Sequence, residues 1–362
     1  MVGGGEGAFI GAVHRMVARL DGQYELVAGA LSASPEKSLR SGRALGLADA
    51  RVYGDWETMA RAEAARPDGV EAVAIVTPNH AHAGPVRGFL EAGFDVICDK
   101  PLTTTLAEAR ALAADVARSG RVFALTHNYT GYPLVRQMRA MVREGRLGRL
   151  RLVHAEYPQD WLTLPIERDG QKQAEWRTDP ARSGAGGAIG DIGTHAFNLA
   201  EFVTGLKAEA VSAELTSFVP GRALDDDAQI RVRWSGGARG AIWCSQVAPG
   251  NENGLQLRVY GETGGMHWRQ DDPNRLYFTA FGEPTRILTR GGAGTGSDAA
   301  RATRIPAGHP EGYLEAFANV YVEAAAAIRA RRAGLPAPPD LHFPGVEDGV
   351  RGLAFVEASV AS

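Results

Sequence analysis

Three side chains stand where they could oxidise or reduce an alcohol. Lys100 precedes Pro101 at the end of the short apolar run 95–98. Asp191 and His195 lie four residues apart in the glycine-rich stretch Gly184-Ala185-Gly186-Gly187-Ala188-Ile189-Gly190-Asp191-Ile192-Gly193-Thr194-His195. If that stretch is helical from Asp191, the carboxylate and the imidazole share one face. A carboxylate and an imidazole beside a lysine suit removal of an alcohol proton as hydride leaves the carbon. Each residue also has a plainer reading: a helix-capping aspartate, a core histidine, a solvated lysine. The lysine stands out because the 39 basic residues include only four lysines, Lys37, Lys100, Lys172 and Lys207.

Hydride chemistry needs a carrier, and the first residues offer a place for one. Gly3-Gly4-Gly5-Glu6-Gly7-Ala8 fits the G-x-G-x-x-G/A pattern of dinucleotide-binding turns. In that reading Gly3 makes the tight turn, Gly5 admits the pyrophosphate and Ala8 lets helix pack on strand. A helix from about Phe9 aims its N-terminus at the phosphates. The pattern is weak alone in a chain with 45 glycines, so its position before a helix carries the argument. Only Met1 and Val2 precede Gly3, whereas a strand takes about five residues. The expectation is that the natural start lies upstream. The carboxylate that usually grips the adenosine ribose is missing from Ala30-Leu31-Ser32-Ala33-Ser34. Ser32, Ser34 and Lys37 or Arg40 suit a 2′-phosphate instead, a slight lean to NADP over NAD.

These residues need a frame. Up to about residue 147, short apolar runs (24–30, 72–76, 95–98, 122–126) alternate with amphipathic stretches (from 35 to about 46, 56–65, 83–92, 105–119, 133–144). Such alternation predicts a parallel, doubly wound α/β sheet. Ligands of such sheets bind beyond the carboxyl ends of the strands, where Lys100 stands. From about residue 150 the runs 150–157, 208–218, 228–234, 238–248 and 255–261 follow one another across short turns. That predicts a second, α+β domain with a large, mostly antiparallel open sheet, interrupted by a helix near 194–204. Helices are expected at 313–332 and 346–361, with a loop at 291–296. The expected domains are 1–147, 148–343 and a C-terminal helical segment, 344–362, that packs back on the first.

Composition excludes several classes. With 44% hydrophobic and 22% charged residues the chain is globular, and 362 residues suit two domains. A formal net charge of −3 gives no global basic field for nucleic acid. Apolar runs fall far short of the roughly 18 residues that cross a bilayer, and no signal peptide is visible. Cys98 and Cys244 form neither a disulfide framework nor a zinc set, and no histidine spacing demands a metal. Asp225-Asp226-Asp227 reads as solvated turn residues rather than a metal cluster. The expectation is a cytoplasmic protein with no nucleic-acid or membrane partner.

Four segments, Val2 to Ala8, Thr77-Pro78-Asn79-His80-Ala81-His82, Cys98-Asp99-Lys100-Pro101 and Gly187 to His195, together resemble the glucose–fructose oxidoreductase/inositol dehydrogenase (Gfo/Idh/MocA) family. The resemblance covers nearly the whole chain. Asp99 replaces a glutamate that members commonly carry, and the first strand is absent. The resemblance implies an NAD(P)-dependent dehydrogenase for a sugar, anhydrosugar or cyclitol. In it His195 is the acid/base, Lys100 holds the reacting hydroxyl and Asp191 orients the substrate. The implied cofactor set is Gly3, Gly5, Ala8, Phe9, Ile10, Ser32, Lys37, Thr77, Pro78, Asn79, His82, Asp99, Lys100 and Asn128. Asn128-Tyr129, Asp160-Trp161 and Trp176-Arg177 resemble pieces of the branch that includes levoglucosan and inositol dehydrogenases. They add Tyr129, Trp161 and Arg177 to the substrate side. Trp161 and Trp176 read equally as core or subunit contacts, and Arg177 as a partner of Asp179. An alternative is a glycoside hydrolase or lyase that oxidises a sugar transiently. By family analogy the open sheet suits a homodimer or homotetramer.

Overall fold

The computed structural model describes all 362 residues, the side chain of Lys172 excepted. The chain forms two compact units. The first comprises residues 1–127 and 317–350, the second 128–316 and 351–362.

The first unit carries a parallel sheet of β1 (Val2–Gly3), β2 (Ala72–Val76), β3 (Asp95–Cys98) and β4 (Phe123–Leu125) in that order. Val2 also bridges Ala30, and Gly29 bridges Val52, so β1 lies inside the sheet. Residues 24–28 form no strand, and of the expected strand 24–30 only these two bridges form. Tyr24 explains part of this: its hydroxyl donates to the Tyr321 carbonyl, and its ring stands edge-on to that of Tyr321. The helices are α1 (Phe9–Leu20), α2 (Pro35–Ala44), α3 (Trp56–Ala64), α4 (Ala83–Glu91) and α5 (Leu106–Ser119). Their starts follow from their caps. Ser34, Asp55 and Thr105 each accept a first-turn N–H, while Pro35 presets the first helical φ of α2. Ile75, Ile97 and Leu125 are wholly buried, as in a sheet covered on both faces.

The second unit is built on an eight-stranded sheet. Its strands are β5 (Leu150–Pro158), β6 (Ala208–Thr216), β7 (Asp227–Trp234), β8 (Arg239–Ser245), β9 (Gln256–Gly261), β10 (Gly264–Arg269), β11 (Arg275–Ala280) and β12 (Arg286–Thr289). The order is β12-β11-β10-β9-β5-β8-β7-β6, antiparallel throughout except for β5 beside β8. Strands β7 and β10 alternate buried and open residues, which marks one covered face. Helices α6 (Pro133–Arg143), α7 (Lys172–Arg177), α8 (Pro180–Ser183), α9 (Thr194–Thr204) and α10 (Ser297–Arg301) belong to this unit. Helix α6 packs on α9 and α10, so the first unit ends at His127, ahead of the sequence boundary at 147. Helices α11 (Tyr313–Arg332) and α12 (Val346–Val360) contribute to both units. In the first, Gly349 lies against Leu102 and Leu125; in the second, the Phe355 and Phe197 rings stack at 4.4 Å.

Asp225-Asp226-Asp227 is not a solvated turn. Asp226 is 1% exposed; it accepts the backbone N–H groups of Phe218 and Val219 and pairs with Arg222. Asp227 accepts the Trp243 indole N–H at 2.9 Å. Buried N–H donors need acceptors, and these carboxylates supply them to backbone and indole alike.

Candidate active site

In the first unit the glycine turn is tight. Gly3 and Gly4 have φ of 76° and 73°, which side-chain-bearing residues rarely adopt. A Cβ on Gly5 would lie 2.6 Å from the Leu31 carbonyl oxygen. The close helix–strand approach falls on Gly11 rather than Ala8: a Cβ there would stand 2.3 Å from Gly4 Cα. Ala8 instead precedes α1 and offers no side-chain cap, so first-turn N–H groups remain available to an anion. Phe9 is 68% exposed, while Ile10 packs on the small cluster of Met1, Leu31, Leu47 and Val76. These features fit a dinucleotide pyrophosphate.

After residues 30–33, Ser34 caps α2, and its hydroxyl donates to the Glu36 carboxylate at 2.7 Å. Ser32 and Lys37 are half-buried there. Glu36, in the first turn of α2 and two residues beyond Ser34, is a carboxylate that residues 30–34 do not contain.

The loop after β2 places Thr77, Pro78 and Asn79 in a short turn, with Asn79 buried. His82 is wholly buried, with Nδ1 2.7 Å from the Pro101 carbonyl and Nε2 2.9 Å from the Thr77 carbonyl. Its ring therefore ties the Thr77 turn to the Lys100–Pro101 turn. Asp99 accepts the Lys100 N–H and the Thr126 hydroxyl, and lies 3.7 Å from His14 Nε2. Burial alone would raise the Asp99 pKa; His14, Lys100 and His82 outweigh it and hold the carboxyl well below the usual range. Lys100 itself is half-buried, and its bond to Pro101 is cis.

In the second unit a helical run begins at Ala188, passes through a π-helical turn (Ile189–Gly193) and continues as α9. Wide turns of this kind recur at functional sites. Asp191 lies in the wide turn and His195 in the first turn of α9. Asp191 Oδ2 accepts from Arg177 Nε at 3.1 Å and from Gln246 Nε2 at 3.0 Å. The Arg177 guanidinium lies 4.1 Å from the Trp176 ring centre and 5.8 Å from that of Trp161. Arg177 thus pairs with Asp191, while Asp179 caps α8.

His195 is 7% exposed and stands edge-on to Tyr129, ring centres 4.9 Å apart. The Tyr129 and Tyr157 hydroxyls bond to each other, and Tyr157 donates to Asn253 Oδ1 at 2.8 Å. Burial pushes both phenols upward in pKa, so they stay protonated at neutral pH. Asn128 is buried, its Nδ2 without a hydrogen-bond partner.

Sequence reasoning missed Gln246, Tyr157 and Asn253. Each follows or occupies an ordinary strand, and no spacing pattern marked it. Among the described residues no group of three or more His, Cys, Asp or Glu could hold a metal ion. No helix among them is long and apolar enough to cross a membrane.

Two family models cover these two regions. Residues 1–127 match the oxidoreductase family with an NAD-binding Rossmann fold. Residues 135–267 match the GFO/IDH/MocA C-terminal domain. The chain belongs to the Gfo/Idh/MocA oxidoreductase family. It is similar to the solved structure of an oxidoreductase from Sinorhizobium meliloti, 55% identical with a TM-score of 0.91, covering 100% of this chain and 96% of that one. An inositol dehydrogenase homolog from Azotobacter vinelandii, solved with NAD+, is 38% identical with a TM-score of 0.95, covering 100% and 94%. Levoglucosan dehydrogenase of Pseudarthrobacter phenanthrenivorans is 28% identical over 76% of this chain and 74% of its own. This family member is an NAD-binding dehydrogenase acting on CH–OH groups.

Proposed function

We propose that the chain oxidises a secondary alcohol of a sugar, anhydrosugar or cyclitol, with NAD(P) as hydride acceptor. The observation that carries this is the Asp191 carboxylate, fixed by Arg177 and Gln246 beside the Trp161 and Trp176 rings. Aromatic faces with adjacent hydrogen-bonding groups bind the apolar ring face and the hydroxyl edge of a polyol. The names of the relatives, inositol and levoglucosan dehydrogenases, support the same substrate class.

In this reading His195 takes the proton of the reacting hydroxyl. Lys100 holds that oxygen and stabilises its developing negative charge. Asp191 accepts from a neighbouring hydroxyl, and Arg177, Tyr129 and Trp161 shape the polyol side. When bound, the nicotinamide supplies the hydride acceptor. Gly3, Gly4 and Gly5 let backbone approach its pyrophosphate, and the first turn of α1 offers N–H groups to it. Thr77, Pro78, Asn79, Asp99 and Asn128 belong to the same cofactor reading, and His82 serves it as the strut between two turns.

NADP over NAD remains the finer expectation from Ser32, Ser34 and Lys37. Glu36 argues against it, because its carboxylate repels a 2′-phosphate and accepts from a ribose diol. The free, buried Cys98 and Cys244 suit a reducing, cytoplasmic compartment. A homodimer or homotetramer through the open sheet belongs to the same reading.

The test is cofactor reduction with NAD+ and NADP+ in turn against inositols, aldoses, anhydrosugars and aryl glycosides, with product analysis. Stoichiometric reduced nicotinamide is the expected result. Glycoside cleavage without net reduction would replace the reading with the transient-oxidation hydrolase or lyase.

A further inference from the structure

We propose that Asp225 is a positioning residue for the turn that carries Asp191 and His195, and that turnover requires its ionised form. The proposal rests on the dehydrogenase reading above for its catalytic consequence.

The first N–H groups of any helix lack partners within it. Here three successive ones go to a single distant residue. Asp225 Oδ1 accepts from Gly187 N at 2.6 Å, its Oδ2 accepts from Ile189 N at 2.8 Å, and its backbone carbonyl accepts from Ala188 N at 2.9 Å. The contact is close as well as polar. A Cβ on Gly187 would stand 2.1 Å from the Asp225 carbonyl oxygen. From this anchor the chain continues into the wide turn: Asp191 N donates to the Gly187 carbonyl at 2.9 Å. Asp225 thus fixes the end of the segment from which Asp191 and His195 project. Its negative charge also lies at the positive end of that helix.

The anchor titrates. Burial raises the Asp225 carboxyl to about 6, opposed by the Ile189 and Gly187 N–H groups and aided by Asp226. The other titratable group coupled to it is Cys244, whose buried thiol is pushed well up by burial, Asp225 and Asp227 and stays neutral. Below about pH 6 the carboxyl gains a proton, and an O–H then meets an N–H where an oxygen acceptor stood. One of the two side-chain bonds is lost and the turn loosens.

Hydrogen exchange read by mass spectrometry on peptides covering residues 185–195 tests this without reference to activity. After correction for intrinsic rates, wild-type protection at Gly187 and Ile189 should fall about tenfold between about pH 8 and about pH 5. In Asp225→Asn it should be low at both pH values, with protection elsewhere in the unit retained. The same variant should lose about 10- to 100-fold in kcat, the size of a small misplacement of reacting groups, with KM for NAD+ unchanged. Wild-type protection that does not change with pH would overturn the proposal, even if the variant fails to fold. So would wild-type kcat and protection in Asp225→Asn. If no polyol reduces NAD+ or NADP+ with the wild-type protein, the dehydrogenase reading falls while the exchange data still decide the hold of Asp225 on the turn.

Discussion

Arg177 donates to Asp191 across 3.1 Å while its guanidinium plane rests over Trp176. The arginine is therefore held from two sides, by stacking and by its own contact to Gln173 Oε1 at 2.7 Å. An arginine held in this way transmits its geometry to the carboxylate it binds. Removing it leaves Asp191 without its charged partner, held by Gln246, and uncovers the tryptophan faces. Arg177→Ala should raise KM for the polyol about 10-fold or more, with a smaller loss in kcat. Arg177→Lys should not restore it, because an ammonium neither stacks nor forks. Steady-state kinetics on the best polyol checks this, and an unchanged KM would place Arg177 outside the substrate side.

Variants of His195 and Lys100 test the proposed division between binding and chemistry. Proton transfer by a positioned side chain contributes about 10²- to 10⁴-fold, so His195→Ala should lose that much in kcat. Cofactor affinity, measured by nicotinamide fluorescence, should remain. Lys100→Ala should lose a comparable amount in kcat if the ammonium steadies charge in the transition state. A loss confined to KM would make Lys100 a binding residue only.

The proposed cofactor choice is testable at Glu36. Its carboxylate accepts the Ser34 hydroxyl, and the same end of α2 carries Lys37. The serine bond holds the Glu36 pKa below its ordinary value, so the group is charged at neutral pH. Glu36→Gln removes an anion that a 2′-phosphate would have to approach. The ratio of kcat/KM for NADP+ over NAD+ should rise several-fold, less at high salt because the site is exposed. A ratio that does not move would show that Ser32, Ser34 and Lys37 alone set the preference.

Much of this was legible in the sequence, for identifiable reasons. Runs such as Ala72–Val76 and Asp95–Cys98 are buried on both faces, and nothing competes with their strand pattern. Strands β10 and β11 carry the alternation of a half-buried strand in Met266, Trp268, Leu276 and Phe278 and were legible too, whereas β12 buries none of its four residues and gives no such signal. The start of α1 was legible, but the tight glycine was not. Gly11 lies inside a helix pattern, and only the packed structure shows that Gly4 leaves it no room for a side chain. Lys100, Asp191 and His195 drew attention through neighbouring glycine or proline. Asp225 reads with its neighbours as a solvated turn, because three adjacent carboxylates look solvated until their separate N–H partners, backbone and indole, are known.

Asp99 gives a stability prediction with a definite sign. Its carboxylate accepts the Lys100 N–H and the Thr126 hydroxyl and faces the buried His14 ring. Burial opposes its charge, yet His14, Lys100 and His82 depress its pKa well below that of an unfolded aspartate. A depressed folded pKa means that the unfolded chain binds the proton more readily. The stabilisation is then complete above the unfolded value of about 4 and is lost as pH falls through the folded one. Asp99→Asn should lower stability at neutral pH by about 1.5–3 kcal/mol, the range for hydrogen bonds to a charged group. Melting curves at a series of pH values should show the gap between variant and wild type closing as the pH drops below about 4. A gap that is constant with pH would mean that the Asp99 charge contributes nothing to folding and that only its shape matters.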